Sequence, residues 1–112
     1  ENAMRPILFY GGALWTHDEI VPLGWLSVVD GRIEALGAGD PPPARGAVAI
    51  NLAGRALTPG LIDLHAHGAL GMDTMDATPE ALRIMAGFYT RHGVTGFLPT
   101  TTTAKMVRQR RT

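Results

Sequence analysis

The stretch that decides the fold is Pro59–Gly68, which reads PGLIDLHAHG. Between its two glycines, apolar residues alternate with Asp63, His65 and His67, as in a strand that has one apolar and one polar face. Side chains two positions apart on a strand point the same way. We therefore expect these three polar side chains to share one face near the end of a strand.

A helix is predicted after a glycine-rich loop at residues 68–76. Thr78 is a good N-cap, and Pro79 fits the first helical position. Gly93 suits the left-handed residue that ends many helices. Residues at helical spacing predict the apolar face of this helix: Leu82, Met85, Ala86 and Tyr89.

A second strand, Val94–Leu98, follows the helix, and the threonines at 100–103 favour a second helix beginning near Ala104. The order strand, loop, helix, strand is the beginning of a parallel α/β arrangement. A closed barrel of eight such strands takes about 250 residues. The chain has 112 residues and two strands of this kind. We therefore expect an α/β protein in which the barrel is incomplete.

The residues before Pro59 predict β-structure. Asp30-Gly31 lies between two apolar runs and is typical of a tight hairpin turn, in which both central residues have positive φ. Two proline-containing segments, Thr16–Gly24 and Gly37–Gly46, are predicted to be loops. The predicted strands are Ile7–Tyr10, Ala13–Trp15, Trp25–Val29, Arg32–Leu36, Val48–Leu52 and Arg55–Thr58.

His65 and His67 are candidate metal ligands. Imidazole nitrogens bind zinc at about 2.0–2.1 Å, and two rings on one face of a strand can converge on one ion. The pair ends its strand beside a glycine-rich loop, where barrel enzymes collect catalytic groups. Asp63 lies two residues deeper on the same face, and we expect its carboxylate to orient one of the metal ligands. Two histidines at this spacing also arise by chance. A second reading therefore stays open, in which both are ordinary surface or core residues that bind no metal.

The composition excludes several classes of function. Ten basic and ten acidic residues give no net charge, so nothing favours binding to nucleic acid or to an anionic membrane. The chain has no cysteine, which excludes disulfides and thiolate metal sites. It also has no apolar run near the roughly 18 residues of a membrane span. We expect a cytoplasmic protein.

Residues 57–68 resemble the PGxIDxHxH signature of the amidohydrolase superfamily, and Val29–Ile33 resembles the hairpin of that superfamily's small β-sandwich. Two further stretches, Gly71–Leu82 and Arg91–Thr101, resemble the N-acetylglucosamine-6-phosphate deacetylase family. The resemblance extends over about residues 5–104. It identifies the chain as an N-terminal portion of such an enzyme.

The resemblance implies a (β/α)₈ barrel joined to a β-sandwich, with residues 5–58 in the sandwich and 59–112 beginning the barrel. It implies hydrolysis of an amino-sugar phosphate, N-acetylglucosamine 6-phosphate, with the help of zinc or a similar divalent metal. Of the family's metal ligands, only His65 and His67 have counterparts here. The family's catalytic aspartate comes from a late barrel strand that has no counterpart in these 112 residues, so Asp63 is not that residue.

Residues 105–112 are nearly all polar where the family continues with an amphipathic helix, which suggests truncation. We therefore expect the chain alone to be inactive, to bind metal weakly and to form homo-oligomers through its unpaired strand edges. Two alternatives stay open. One is a cyclic-amide hydrolase similar to dihydroorotase or hydantoinase, and the other is a β-rich fragment that self-associates and catalyses nothing.

Overall fold

The computed structural model describes residues 4–104. The chain divides into two compact units, residues 1–59 and residues 60–112, with the division after Pro59. Within the described range, no helix has the length and apolar character needed to cross a membrane. Residues 4–104 form a mixed, strand-rich fold with one α-helix.

The first unit is built on one sheet of five strands. The central strand, β1, pairs antiparallel with β2 on one side and parallel with β4 and then β5 on the other. The strand β3 pairs with the outer edge of β2. The strands are β1 (Ile7–Trp15), β2 (Ile20–Val29), β3 (Arg32–Ala38), β4 (Val48–Asn51) and β5 (Ala56–Leu57).

The hairpin predicted at Asp30-Gly31 is confirmed. Both residues have positive φ, 50° and 73°, and they join β2 to β3. This conformation matches the right-handed twist of the flanking strands. A short polar turn between two apolar runs was therefore enough to predict the connection.

The predicted loop Thr16–Gly24 is wrong in its second half, because β2 already begins at Ile20. Ile20 pairs with Trp15, and the turn between them is closed by the Thr16 N–H, which donates to the Glu19 carbonyl at 2.9 Å. Pro22 is tolerated in the strand because the register with β1 shifts next to it. A proline lacks the N–H that a regular ladder position needs, and a bulge removes that need.

A close backbone approach explains the paired glycines of β1. The chain between β4 and β5 runs beside β1 here, and the Gly54 N–H donates to the Gly11 carbonyl at 2.8 Å. A Cβ atom on Gly12 would lie 2.0 Å from the carbonyl oxygen of Arg55. Any side chain at Gly12 would therefore push this segment away from β1. The buried core of this unit consists of Leu8, Leu14 and Leu52.

The second unit contains the predicted order of strand, helix and strand. Two parallel strands, β6 (Leu61–Ala66) and β9 (Val94–Pro99), are connected through α1 (Pro79–Arg91). The predicted glycine-rich loop is more regular than expected. It forms a small hairpin of β7 (Gly68–Ala69) and β8 (Met72–Asp73), followed by a 3₁₀ turn at Thr74–Asp76.

The predicted boundaries of α1 are confirmed. The Thr78 hydroxyl accepts a hydrogen bond from the Ala81 N–H at 3.1 Å, a cap that contributes about 1 kcal/mol in helices generally. Pro79 begins the helix, and Gly93, after its end, has a φ of 82°. The second helix predicted from near Ala104 would lie in residues 105–112, outside the described residues.

The predicted apolar face of α1 is wrong in one position. Met85 is fully buried and Ala81 is 2% exposed, whereas Leu82 is 39% exposed. Ala81 and Met85 are four positions apart and lie above one another on the helix, while Leu82 lies about a quarter turn away. The small Ala81 lets the helix approach its neighbours there, so the buried face centres on Ala81 and Met85.

Candidate metal centre at the end of β6

The two candidate ligands flank the last residue of β6. His65 is the penultimate residue of the strand, Ala66 ends it with a 5% exposed side chain, and His67 follows directly. Both histidines are exposed. The buried Ala66 therefore points into the unit, while the two imidazoles point away from it.

The two imidazole rings converge. Their Nε2 atoms are 3.0 Å apart, and the ring centroids lie 4.8 Å apart at an interplanar angle of 83°. This confirms that the two side chains share one face. Two nitrogens that each bind a zinc ion at about 2.05 Å are about 2.9 Å apart at a right angle and about 3.3 Å apart at the tetrahedral angle. The spacing and chemistry of the pair fit a shared ion.

A backbone carbonyl from the neighbouring strand fixes the His67 ring. The His67 Nδ1 lies 2.9 Å from the carbonyl oxygen of Thr100, which follows the end of β9. A carbonyl can only accept, so His67 Nδ1 carries the hydrogen. The Nε2 of a neutral His67 then has a free lone pair. Metal-binding histidines are commonly oriented by such a bond from the other ring nitrogen.

The tautomer of His65 follows from that of His67. Because Nε2 of a neutral His67 can only accept, the 3.0 Å contact between the rings is a hydrogen bond donated by the His65 Nε2–H. An ion held by both Nε2 atoms needs both lone pairs. Binding therefore requires the hydrogen of His65 to move to Nδ1, without any net loss of a proton from the pair.

Sequence reasoning missed Thr100 as a partner, because it assigned the threonines at 100–103 only to the start of a second helix. The feature that could have revealed this contact is the parallel pairing of β6 with β9, in which Ala66 lies opposite Pro99. The Thr100 N–H also donates to the Ala66 carbonyl at 2.8 Å. The end of β9 therefore contacts both the backbone and the ring at the end of β6.

Asp63 contacts the backbone near the pair. Its Oδ1 accepts a hydrogen bond from the His65 N–H at 3.0 Å, and the residue is half-buried. The carboxylate thus stabilises the main chain that carries His65. Its predicted role in orienting a bound ligand remains a prediction.

The other two histidines serve local structure. His92 Nδ1 donates to the Phe88 carbonyl at 2.9 Å at the end of α1, as expected of a helix-end group. His17 lies in an exposed turn, 3.1 Å from the Asp18 carboxylate. Among residues 4–104, no group of three or more His, Cys, Asp or Glu side chains is placed to hold a metal ion. Two imidazoles would be two of the four ligands of a tetrahedral zinc site.

We expect the two histidines to have opposite tautomers in the chain without added metal. At about pH 8, where an ordinary imidazole is neutral, His67 should be the Nδ1–H form and His65 the Nε2–H form. Long-range ¹H–¹⁵N correlation spectra of the imidazoles measure this directly. His92 is the internal control and should also be Nδ1–H. A His67 ring that is mostly Nε2–H would contradict the contact with Thr100.

The chain is similar to several sugar-phosphate deacetylases. No protein-family model matches the chain. The N-acetylglucosamine-6-phosphate deacetylase of Vibrio furnissii is 39% identical over 99 residues, which is 88% of this chain and 23% of the relative. The enzyme of the same name from Bacillus subtilis (strain 168) is 36% identical over 91 residues, which is 81% of this chain and 23% of the relative.

A solved structure gives the same result for the fold. This is the Mycobacterium smegmatis N-acetyl-D-glucosamine-6-phosphate deacetylase, a mutant in complex with N-acetyl-D-glucosamine-6-phosphate, which matches with a TM-score of 0.74 and 29% identity. The match covers 90% of this chain and 26% of that one. The chain thus spans about a quarter of the length of the relatives it matches. It is a homologue of the N-acetylglucosamine-6-phosphate deacetylases.

Proposed function

We propose that this chain is the part of a metal-dependent deacetylase that supplies two histidine ligands. The complete enzyme would hydrolyse the acetamide of N-acetylglucosamine 6-phosphate to glucosamine 6-phosphate and acetate. The convergence of the His65 and His67 Nε2 atoms to 3.0 Å carries this proposal. The names of the relatives support the choice of substrate.

A divalent metal, when bound, polarises the amide carbonyl and makes a water molecule more acidic. The residues of this chain contribute binding and orientation. His65 and His67 would hold the ion, the Thr100 carbonyl would keep the His67 Nε2 lone pair available, and Asp63 would stabilise the backbone of the first ligand. The proton-transfer group and the remaining ligands would come from residues beyond those described.

We also propose that residues 59–112 begin a (β/α)₈ barrel and that residues 5–58 form part of a β-sandwich. The parallel pairing of β6 with β9 through α1 supports the barrel, because this is its repeating unit. The histidine pair would then lie at the carboxyl end of a barrel strand, where such enzymes bind substrate. A phosphorylated sugar as substrate is consistent with a cytoplasmic enzyme.

The deacetylase is favoured over the cyclic-amide hydrolase because both relatives reported above are named deacetylases. A chimera tests whether this chain can supply the corresponding part of a deacetylase. Residues 5–104 replace the matching stretch of the Mycobacterium smegmatis deacetylase. We expect the chimera to hydrolyse N-acetylglucosamine 6-phosphate, and a chelator to reduce the rate.

The controls for the chimera separate the pair from other histidines. His65→Ala and His67→Ala should each reduce kcat/KM by at least about 10-fold, because even the loss of a group that only orients a metal ligand typically costs that much. His17→Ala should leave the rate unchanged, since that side chain lies in an exposed turn. A folded chimera without activity toward the sugar phosphate would refute the proposed role of this chain in a deacetylase.

The isolated chain is expected to be inactive and to self-associate. In the second unit, four large apolar residues of the two-stranded sheet are more than half exposed: Leu61, Ile62, Leu64 and Leu98. In the first unit, one face of the sheet has an open apolar groove of about 450 Å³, lined by side chains that include Phe9, Leu26 and Ile33. Uncovered strands and apolar faces of this kind favour association between chains.

Light scattering of the purified chain at several concentrations measures the association. We expect the apparent mass to rise with concentration above the 11.9 kDa of one chain. A deacetylase assay of the same sample with added zinc should give no turnover above that of its His65→Ala variant. A monomer at every concentration would contradict the proposed self-association. Zinc-dependent turnover above that of the His65→Ala variant would contradict the proposed inactivity.

A further inference from the structure

We propose that Tyr89 is a positioning residue for His67, acting through the main chain of Gly68. The Tyr89 hydroxyl donates to the Gly68 carbonyl at 2.9 Å, across 21 positions of sequence. Gly68 is the residue directly after His67. This inference rests on the proposed metal-binding role of the pair, and it assigns a task to α1 in that site.

Three consecutive backbone carbonyls around His67 each accept a hydrogen bond from a different part of the unit. Ala66 accepts from the Thr100 N–H at 2.8 Å and His67 from the Thr74 N–H at 2.7 Å. Gly68 accepts from the Tyr89 hydroxyl. Two of these bonds come from backbone donors, which no side-chain substitution removes cleanly. The third depends on a single oxygen atom of Tyr89.

The position of the Tyr89 ring is fixed independently of its hydroxyl. The ring lies edge to face against Phe97 of β9, with centroids 4.9 Å apart at 62°. Tyr89 also lies one helical turn after the fully buried Met85. Both contacts involve the ring or the helix and would remain in a phenylalanine variant. Tyr89→Phe therefore removes the hydrogen bond and leaves the packing in place.

The segment that Tyr89 holds has little support of its own. Gly68 and Ala69 form a strand of two residues, paired only with Asp73 and Met72 within this hairpin. A hairpin this short is not stable by itself in water. Its backbone also approaches closely, because a Cβ on Gly68 would lie 2.2 Å from the Met72 carbonyl oxygen. An outside donor at the Gly68 carbonyl therefore restrains a segment that would otherwise move.

Movement at Gly68 is transmitted to the His67 ring through one peptide unit. The ring must satisfy two contacts at once, 2.9 Å from Nδ1 to the Thr100 carbonyl and 3.0 Å from Nε2 to His65. A rotation of the His67 main chain displaces both nitrogens. Groups that orient a ligand in this way typically change metal affinity by about 10-fold or more when removed.

The test compares Tyr89→Phe with the 112-residue chain itself. A zinc titration followed by the imidazole resonances gives the affinity, and ¹H–¹⁵N spectra without zinc give the tautomers. We expect Tyr89→Phe to weaken zinc binding about 10-fold and to reduce the Nδ1–H fraction of His67. Its thermal unfolding midpoint should stay close to that of the parent. Tyr10→Phe makes the same chemical change on β1, in the other unit, and should alter neither property of the pair.

The outcomes separate this inference from the proposed function. A Tyr89→Phe variant with unchanged His67 resonances and unchanged zinc affinity overturns the positioning role. If zinc leaves the resonances of the pair unaffected in the parent chain, the two imidazoles alone do not hold the ion, and the metal centre is then tested in the chimera instead. The His67 tautomer in the variant without zinc still decides the role of Tyr89.

Discussion

The parallel pairing of β6 with β9 is the constraint on which the rest of the site depends. It brings the end of β9 beside the end of β6, where Thr100 contacts the Ala66 carbonyl through its N–H and the His67 ring through its own carbonyl. Without Thr100 beside them, the two exposed histidines would have no contact that fixes their rotamers and tautomers. With it, one imidazole has a defined hydrogen position and the other takes the complementary one.

Local signals predicted much of this arrangement. The caps of α1, the Asp30-Gly31 hairpin and the shared face of the two histidines each depend on a few adjacent residues. The errors came where pairing or packing between segments decides the structure. The early start of β2 at Ile20 depends on pairing with Trp15. The exposure of Leu82 and the contact of Thr100 with His67 likewise depend on which segment packs against each residue. The periodicity of a single stretch of sequence does not reveal that neighbour.

The two units divide the work unequally. The first is a sheet organised around β1, whose paired glycines allow the backbone between β4 and β5 to approach closely. The second contains all of the candidate chemistry within residues 63–100: a strand end, a small hairpin and a helix that donates through Tyr89. Two imidazoles would supply half of a tetrahedral zinc site, so the proposed chemistry requires ligands beyond the described residues.

The central claim is that the His65 and His67 Nε2 atoms bind the same metal ion. Crystals of the chimera soaked in zinc, with data collected at the zinc absorption edge, test it most directly. We predict one anomalous peak at about 2.0–2.1 Å from both Nε2 atoms, with the His67 Nδ1 still bonded to the Thr100 carbonyl. A peak that contacts neither histidine, or two rings that point to opposite faces of β6, would contradict the account.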